Sequence, residues 1–406
     1  MASSLIISTL GRRAGVAALL AAVVVPVAPA AAQQPAARQH AVCGPHGELR
    51  QALRTLTHRD RITGAAVLIT DTAGASCGSW TETAGTADLS TGRLMNATDR
   101  LRAGSVTKTF TATVVLQLAA EHRIALDAPV DRYLPGLIRQ NGYDGRRITV
   151  RQLLQHTSGL PDYLDAPEWE HPERIRYRHF EPRELVARAL GLPRPHGEWH
   201  YATTNYLLAG LIIREVTGHS PEAEITRRVI RPLGLHDTYW PGDDTRIHGP
   251  HSRSYFTAED GRLADGTAWN TTFGGVGGAL VSTPADLTRF ITALLGSRLL
   301  PADQLADMRR TVAADPDRLW PGARYGLGLI ASPLRCGGLW WGHAGTVPGG
   351  HRALTAVGPG GRSVAVALNE VPATLQAEQD FLDTVQTAFC EERPSEGTEP
   401  TEGEHQ

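Results

Sequence analysis

The pattern of apolar and polar positions divides the chain into an early strand region, a helical middle and a late strand region. Apolar and alternating runs predict strands over Gly64–Thr70 and Ser79–Ala84. Later strand-like segments are Gly274–Ser282, Tyr325–Ile330, Leu339–His343, Arg352–Val357 and Ser363–Leu368. Strands at both ends with helices between them predict one sheet that is built from both ends of the chain.

Helical periodicity fills the middle of the chain and also follows the first strands. Apolar residues at helical spacing, without an internal Pro or Gly, predict a helix over Ser105–Glu121 that begins directly after Gly104. The other helical patterns are Val150–His156, Pro182–Leu190, Tyr206–Thr217, Pro221–Arg228 and Ala373–Phe389. The predicted class is α+β. An α/β lobe (residues 45–125 and 265–390) and a helical lobe (residues 126–264) would leave a cleft between them.

The two ends of the chain differ in composition from this domain. Arg12 and Arg13 precede an apolar run that closes with Ala30-Ala31-Ala32, which predicts a signal peptide over residues 1–32. The run is short and interrupted by proline, which disfavours a membrane anchor. Ordinary secretion is favoured over twin-arginine export because the residues after the arginine pair fit that signal poorly. The acidic, Pro- and Gly-rich tail (residues 391–406) is predicted to be disordered, and the protein to be secreted.

Cysteine usage and charge narrow the class of protein further. Four cysteines in an exported chain indicate two disulfides, although the sequence permits three pairings and leaves free thiols as an alternative. Pairing of sequence neighbours gives Cys43–Cys77 and Cys336–Cys390. No Cys-x-x-Cys, His-Glu-x-x-His or His-x-His spacing occurs, so neither a metal nor another cofactor is expected. A net charge of −2 argues against a nucleic-acid partner, and a monomer is expected.

One basic residue stands apart, because Lys108 is the only lysine and the other 39 basic residues are Arg. Lysine can lose its proton when it is buried, whereas arginine keeps its proton. Lys108 follows Ser105 by three residues, which brings both side chains to one face of a helix. A helix start also offers free N–H groups and the positive end of the dipole to a developing negative charge. This arrangement predicts a nucleophilic serine that is activated by a neighbouring lysine.

Four segments, in this order along the chain, resemble the serine β-lactamase and D-alanyl-D-alanine carboxypeptidase family, in particular its class C and secreted Streptomyces-type peptidase branch. They are Ser105-Val106-Thr107-Lys108 (family Ser-x-x-Lys), the structural signature Leu153–Leu160, Tyr201-Ala202-Thr203 (family Tyr-x-Asn) and His343-Ala344-Gly345-Thr346 (family Lys/His-Thr/Ser-Gly). The resemblance covers residues 45–390. It implies a β-lactamase/transpeptidase-like fold, with an antiparallel sheet, flanking helices and a helical lobe.

The resemblance also implies a role for each matching residue. Ser105 would attack a carbonyl carbon and form an acyl-enzyme, with Lys108 and Tyr201 sharing the work of base and proton shuttle, in either arrangement. The backbone N–H groups of Ser105 and Thr346 would form the oxyanion hole. His343 would lie on an edge strand opposite the serine. The residues expected to bind substrate are Thr203, His343, Gly345 and Thr346.

Two positions depart from the family pattern, and both lie where a substrate would be recognised. Thr203 replaces an asparagine that helps to hold the lysine and bonds the substrate amide, while Asn205 is expected to lie in the next helix. Ala344 replaces a hydroxyl residue that contacts a terminal carboxylate. Thr346 remains, and Arg352 on the following strand is a candidate cationic partner.

The acyl-transfer residues are therefore present, whereas recognition of a peptide carboxylate is weakened. The favoured interpretation is a D-Ala-D-Ala carboxypeptidase that acts on peptidoglycan-type peptides. An esterase or amidase on the same scaffold, and a penicillin-binding or sensor protein with little turnover, are the alternatives; β-lactamase activity is less favoured. The partners would be small peptides, β-lactams or esters.

Two other serines lie in suggestive surroundings. Residues 74–78 match the Gly-x-Ser-x-Gly nucleophile elbow at Ser76, but a strand is predicted after them where an elbow requires a helix. Ser158 lies close to His156 in sequence. The resemblance gives that segment a structural role, in which Thr157 and Ser158 shape a turn.

Overall fold

The structure, a computed structural model, describes residues 47–71 and 78–391. The predicted signal peptide, Ser76, the Cys43–Cys77 pair and the acidic tail after Glu391 lie outside these residues. The strands, numbered in chain order, are β1 Gly64–Thr70, β2 Ser79–Asp88, β3 Arg93–Leu94, β4 Leu101–Arg102, β5 Tyr255–Thr257, β6 Leu263–Asp265, β7 Val281–Ser282, β8 Val312–Ala313, β9 Arg324–Tyr325, β10 Ile330–Pro333, β11 Leu339–Thr346, β12 Arg352–Val357 and β13 Ser363–Leu368.

Helices lie before, between and after these strands. In chain order they are α1 Gly47–Arg54, α2 Thr107–Ala120, α3 Val150–Gln155, α4 Pro182–Leu190, α5 Thr203–Thr217, α6 Pro221–Ile225, α7 Pro284–Leu295, α8 Ala302–Met308 and α9 Leu375–Cys390. A one-turn 3-10 helix, Gly104–Val106, leads into α2. Most of the long stretch between β4 and β7 is helical or irregular, as the apolar pattern predicts.

The main sheet joins the two ends of the chain. Within the described residues, nine strands form one antiparallel sheet in the order β3-β2-β1-β13-β12-β11-β10-β9-β8. Strand β1 pairs directly with β13, so that Val67 lies opposite Val366. The predicted α+β class, with a sheet that both ends of the chain build, is therefore confirmed.

Helices cover both faces of this sheet. Successive side chains of β12 point to opposite faces, and each packs against a different set of helices. Leu354 packs in one core cluster with Leu49 of α1 and Phe381 of α9, on one face of the sheet. The neighbouring Ala353 points to the opposite face, where α7 packs against β12 and β13. Helix α2 lies behind α7, and the rings of Phe110 and Phe290 stack with 3.6 Å between their centroids.

Helix α2 is buried on all sides over most of its length, although it carries several polar residues. Two of its threonine hydroxyls donate to backbone carbonyl groups of other segments. Thr109 bonds the Gly328 oxygen at 2.8 Å, and Thr111 bonds the Val276 oxygen at 2.6 Å. Since buried polar groups are costly unless they are hydrogen-bonded, these bonds make a buried polar helix possible and fix its position.

Several local elements differ from the sequence prediction. The predicted strand Tyr325–Ile330 is divided, because Tyr325 ends β9, Ile330 begins β10 and the residues between them are not in a strand. The Gly-rich segment Gly274–Ser282 forms short 3-10 turns, with strand structure confined to β7. Helix α5 begins at Thr203, three residues earlier than expected. Helix α7 was not predicted, although Thr283 accepts a bond from the Asp286 N–H and Pro284 occupies the first turn, which together mark a helix start.

A disulfide joins the β10–β11 turn to the end of α9. Cys336 lies between β10 and β11, and it bonds Cys390 at the end of α9. This pair is the one expected from pairing sequence neighbours, and the prediction is confirmed. A search of the described residues finds no helix with the length and apolar character needed to cross a membrane.

Candidate active site

Ser105 lies in the 3-10 turn before α2, close to the end of β11. Gly104 has a φ of +53°, and a methyl group there would lie 2.7 Å from both the backbone nitrogen and the backbone oxygen of Thr346. A methyl group on Gly345 would lie 2.0 Å from the carbonyl oxygen that precedes the turn. The two glycines therefore allow the turn and the strand to approach each other at backbone distance.

The backbone N–H of Thr346 points away from β12, toward this turn. Val347 donates its N–H to the carbonyl oxygen of His351 at 2.9 Å. Because hydrogen-bonded and non-hydrogen-bonded pairs alternate along an antiparallel ladder, the next pair, Thr346 and Arg352, has no direct backbone bonds between its residues. The N–H of Ser105 lies in a first helical turn, where N–H groups have no partner within the helix. Two backbone donors thus lie side by side next to the serine hydroxyl.

The only lysine of the chain is fully buried beside Ser105. Lys108 Nζ lies 3.0 Å from Ser105 Oγ, 2.9 Å from the carbonyl oxygen of Gly277 and 3.3 Å from Thr203 Oγ1. Burial lowers the pKa of Lys108 to about 7, an effect that the negative charge of Asp162 partly opposes. At neutral pH a substantial fraction of the lysine is therefore an uncharged amine that can accept a proton.

The ring of Tyr201 covers this lysine, with 4.9 Å between its centroid and Lys108 Nζ. Burial raises the pKa of the Tyr201 hydroxyl, and a hydrogen bond with the Ser105 side chain opposes part of that rise. The phenol is therefore protonated at neutral pH. His156 supports the tyrosine, because the two ring centroids are 4.3 Å apart and the N–H of Ala202 donates to His156 Nδ1 at 3.2 Å.

The signature segment around His156 forms a buried network under Tyr201. His156 ends α3 in a left-handed conformation, and burial holds its pKa well below the ordinary value. Asn205 donates its side-chain N–H to His156 Nδ1 at 3.1 Å, and Ser158 donates to Asn205 Oδ1 at 2.7 Å. Asn205 is therefore committed to this network and does not occupy the position of Thr203 beside the lysine. Ser158 shapes the turn by accepting the N–H of Leu160.

Asp162 is a buried acid at the site that the sequence analysis did not identify. Its carboxylate accepts the N–H groups of Thr203 at 2.9 Å and Leu164 at 3.2 Å, and burial raises its pKa. The first bond fixes the start of α5, which carries one of the lysine's partners, and the second caps the 3-10 turn Tyr163–Asp165. An Asp directly after Gly159-Leu160-Pro161 is typical of a helix N-cap, and this was the available signal.

His343 lies on the side of β11 that faces α2. Strand β11 is internal to the sheet, because it lies between β12 and β10, so the predicted edge strand is wrong. Strand β10 pairs with β11 only as far as Gly342, and the residues of β11 after Gly342 extend past β10. Nδ1–H donates to the Ala344 oxygen at 2.5 Å, and Nε2 accepts from the Tyr325 hydroxyl at 2.8 Å. Burial, with the charge of Lys108, lowers the pKa of His343 to about 3. The ring is neutral, and both of its nitrogens are bonded.

A second group of residues lines the cleft beside the end of β11, and we call it the rim: Ala344, Thr346, Arg352 and Glu378. Arg352 Nη1 donates to Thr346 Oγ1 at 2.6 Å, and Nη2 donates to the Glu378 carboxylate. The guanidinium carbon also lies 4.8 Å from the centroid of the Phe381 ring. The predicted partnership of Arg352 with Thr346 therefore exists, and a carboxylate of the protein shares it.

Ser105, Tyr201 and the rim line one open cleft of about 600 Å³. The charged residues that line it are Asp162, Asp165, Asp317, Glu378, Arg318 and Arg352. Arg318 bonds the carboxylate of Asp165 at 3.1 and 3.4 Å. Each of these two arginines is therefore paired with a carboxylate. The structure brings all the sequence-predicted site residues to this cleft or directly beneath it.

One group of possible metal ligands occurs in the described residues, formed by His171, Glu173 and Glu259. It does not line the cleft. Arg174 lies 2.5 Å from Glu259 and supplies the positive charge that a bound cation would otherwise provide. We therefore assign no metal to it.

A serine hydroxyl beside a buried lysine, with two backbone donors next to it, is the arrangement of serine hydrolases of the β-lactamase and penicillin-binding protein type. The chain matches the family described as Beta-lactamase over residues 49–384, and it belongs to that family. Proteins of this family act on small substrates such as peptides, β-lactams or esters. The family resemblance and the fold inferred from it are thereby confirmed.

Several known proteins are similar to this chain, some over most of its length and others over less than half of it. It is 37% identical to a D-stereospecific amidohydrolase from Streptomyces sp., whose structure superposes with a TM-score of 0.76 over 86% of this chain and 100% of that one. It is 35% identical over 164 residues to esterase EstB of Burkholderia gladioli, which covers 38% of this chain and 41% of the esterase. It is 29% identical to penicillin-binding protein 4 of Amycolatopsis lactamdurans, over 68% of this chain and 74% of that protein.

Proposed function

We propose that this protein hydrolyses amide or ester bonds through an acyl-enzyme on Ser105. The observation that carries the proposal is the position of Lys108 Nζ, 3.0 Å from Ser105 Oγ and fully buried. A buried lysine with a lowered pKa can take a proton at neutral pH, which a surface lysine cannot do efficiently. Formation of a covalent intermediate divides a difficult hydrolysis into two easier steps.

Lys108 acts as the base in this proposal. The uncharged amine has two N–H groups and one lone pair. Gly277 offers only a carbonyl oxygen, 2.9 Å away, and the hydroxyl of Thr203 accepts the second N–H. These two bonds leave the lone pair for Ser105. As Oγ bonds the substrate carbonyl carbon, the serine proton moves to Nζ.

Tyr201 then delivers a proton to the leaving group. Its raised pKa keeps the phenol protonated, so it donates rather than acts as the initial base. When the bond between carbonyl carbon and leaving group breaks, Tyr201 gives its proton to the departing nitrogen or oxygen and recovers one from Lys108. Water then attacks the ester on Ser105 with the same groups acting in reverse, which releases the acid and restores the enzyme.

The charge that develops on the carbonyl oxygen needs fixed donors, and we propose the N–H groups of Ser105 and Thr346 for this role. Donors that are already aimed at the developing charge supply a large part of catalysis in acyl transfer. His343 supports this region rather than binding the substrate through its ring nitrogens, because both nitrogens are bonded within the protein. Thr203, Gly345 and Thr346 remain the proposed contacts to the substrate.

For the substrate, we propose an amide or ester of a D-configured acyl group. Two similar proteins support this choice, the D-stereospecific amidohydrolase and the esterase. The pairing of Arg352 with Glu378 at the rim also supports it, because it disfavours a substrate carboxylate at that position. A D-Ala-D-Ala carboxypeptidase is the second candidate. It is favoured by the similarity to a penicillin-binding protein over 68% of the chain and by the retained Thr346–Arg352 contact.

Export of the protein and its division into lobes are also proposals. The Cys336–Cys390 disulfide supports an oxidising compartment, which agrees with the predicted signal peptide and secretion. The proposed lobes are residues 45–125 with 265–390 and residues 126–264, and the acidic tail is proposed to lie outside both. We further propose that the protein acts as a monomer.

The proposed function is tested by trapping the acyl-enzyme. The purified protein is mixed with p-nitrophenyl esters and p-nitroanilides of N-acetylated D- and L-amino acids and, separately, with a fluorescent penicillin. Intact mass and peptide mapping then locate any adduct. We expect an adduct on Ser105 and faster turnover of the D-compounds, and neither with Ser105→Ala. Turnover that survives in Ser105→Ala would disprove the proposal. Faster cleavage of a D-Ala-D-Ala peptide than of every amide and ester would favour the carboxypeptidase.

A further inference from the structure

The guanidinium of Arg352 lies beside the proposed oxyanion donors and is held on three sides. Thr346 accepts one of its N–H groups, Glu378 accepts another, and the Phe381 ring packs against its plane. Arg352 and Glu378 both line the cleft that contains Ser105. The nearest cation to Thr346 in this cleft is thus already paired with a carboxylate of the protein.

We infer that Glu378 sets the selectivity of this site, by occupying the cation that a substrate carboxylate would need. This inference rests on the proposed acyl transfer at Ser105. A carboxylate on the leaving group would have to displace Glu378 from Arg352, or lie next to its negative charge. Ala344 adds no hydroxyl to compensate. The site therefore selects leaving groups that end in a neutral amide or ester.

Other cations of the cleft do not offer a substitute. Arg318 is bonded to both carboxylate oxygens of Asp165. Lys108 is buried and bonded to Ser105, Thr203 and Gly277. Among the described residues that line the cleft, every arginine is therefore paired with a carboxylate, while Asp317 adds an exposed negative charge.

The position of Glu378 is fixed by the start of α9. Thr374 caps this helix by accepting the N–H of Ala377 at 3.1 Å, and the Glu378 N–H bonds the Thr374 oxygen at 3.0 Å. The first residue of the helix, Leu375, also lines the cleft and is 92% exposed. An exposed leucine beside a neutralised arginine fits an uncharged, partly apolar leaving group better than a carboxylate.

The test compares two substrates that differ in one group. They are an N-acetylated peptide ending in D-Ala-D-Ala and the same peptide with a C-terminal carboxamide. For the wild type, we expect kcat/KM to be higher for the carboxamide. Glu378→Gln keeps the side-chain shape but frees Arg352 for a charge-assisted bond, so it should shift the ratio toward the carboxylate by about tenfold or more. Glu378→Ser frees Arg352 by removing both the charge and the length of the side chain, and it is measured in parallel in case the first variant folds poorly.

Two matched controls separate pairing from general charge. Asp317→Asn removes a negative charge from the same cleft without touching Arg352 and should shift the ratio by less than about threefold. The double variant Glu378→Gln/Arg352→Gln should lose the gain, since the binding cation is gone. An equal gain in Asp317→Asn, or an unchanged ratio in both Glu378 variants while Ser105 is still acylated, would overturn this inference alone. Absence of acylation with every substrate would instead overturn the proposed function.

Discussion

Two neighbouring regions of the cleft are built in opposite ways. In the reaction centre, formed by Ser105, Lys108 and Tyr201, the lysine has no solvent exposure, and its partners include a backbone carbonyl. At the rim, Arg352 and Glu378 form an ion pair whose side chains are 12% and 32% exposed. The reaction centre is fixed by burial and backbone bonds, whereas the rim is fixed by side chains near the solvent.

This difference separates chemistry from selectivity. Removal of one partner from a buried polar group leaves the other unsatisfied, which costs about 1–3 kcal/mol. A partly exposed ion pair contributes only about 0–1 kcal/mol to stability. Substitutions at the rim should therefore change which substrate is accepted without loss of the fold. Substitutions in the reaction centre should remove activity toward every substrate.

The largest expected effect is that of Lys108→Arg. This variant keeps the positive charge but removes the base, because a guanidinium does not lose its proton at workable pH. Acylation of Ser105 should fall by roughly 10³-fold with esters and amides alike. Stopped-flow release of p-nitrophenol measures the rate, and circular dichroism checks the fold. If acylation is retained at the wild-type rate, Lys108 serves only as a cation and the account of the reaction centre is wrong.

A substitution at the junction between the two regions should have the next largest effect. An alanine at Gly345 would place its methyl carbon 2.0 Å from a backbone oxygen, so β11 must move away from the serine turn. That movement displaces the Thr346 N–H, and loss of one oxyanion donor costs about 10²–10³-fold in kcat. The matched control is Gly47→Ala, where no atom lies within 4 Å of the added methyl group. Unchanged kcat in Gly345→Ala would exclude this N–H from the oxyanion hole.

The smallest expected effect is that of a substitution at Thr203, a residue that departs from the family pattern. Thr203→Val keeps the side-chain shape but removes the hydroxyl that lies 3.3 Å from Lys108 Nζ. Loss of one hydrogen bond of about 1 kcal/mol should slow acylation about fivefold, equally for all substrates. Thr217→Val, at the far end of α5, serves as the control. A change in substrate preference rather than in overall rate would show that Thr203 contributes to selectivity, as the rim residues do, and not to the reaction centre.

The sequence predicted the parts of this molecule that depend on local pattern. The buried strands β12 and β13 and the helix α4 have the predicted bounds, since both strands are largely apolar runs and α4 begins at Pro182 and is followed by Gly191. Ser105 and Lys108 were identified because their spacing on a helix brings them together in any tertiary context. The Cys336–Cys390 pair was predicted correctly for the simple reason that each cysteine paired with its neighbour in sequence.

The remaining features depend on long-range contacts that no local pattern records. The carbonyl oxygen of Gly277 bonds Lys108 from a turn 169 positions away in the chain, and a backbone group carries no side-chain signal. Glu378 reaches the rim only because α9 packs across β12. The internal position of β11 likewise follows from its pairing with β10, which the sequence pattern of β11 does not record. Burial of Asp162 becomes visible only when α5 is in place.

The assignment of Lys108 as the base depends on the lowered pKa of its amine, and one experiment measures that pKa. Because the chain has a single lysine, incorporation of ¹³C- and ¹⁵N-labelled lysine gives one side-chain signal without the need for assignment. Its shift is followed by NMR from pH 5 to pH 11 in Ser105→Ala, which prevents turnover. We expect a midpoint near the lowered pKa of about 7, and kcat/KM of the wild type should rise with pH through the same range, because the uncharged amine is the active form. A midpoint near 10.5, the ordinary pKa of lysine, would contradict the assignment of Lys108 as the base.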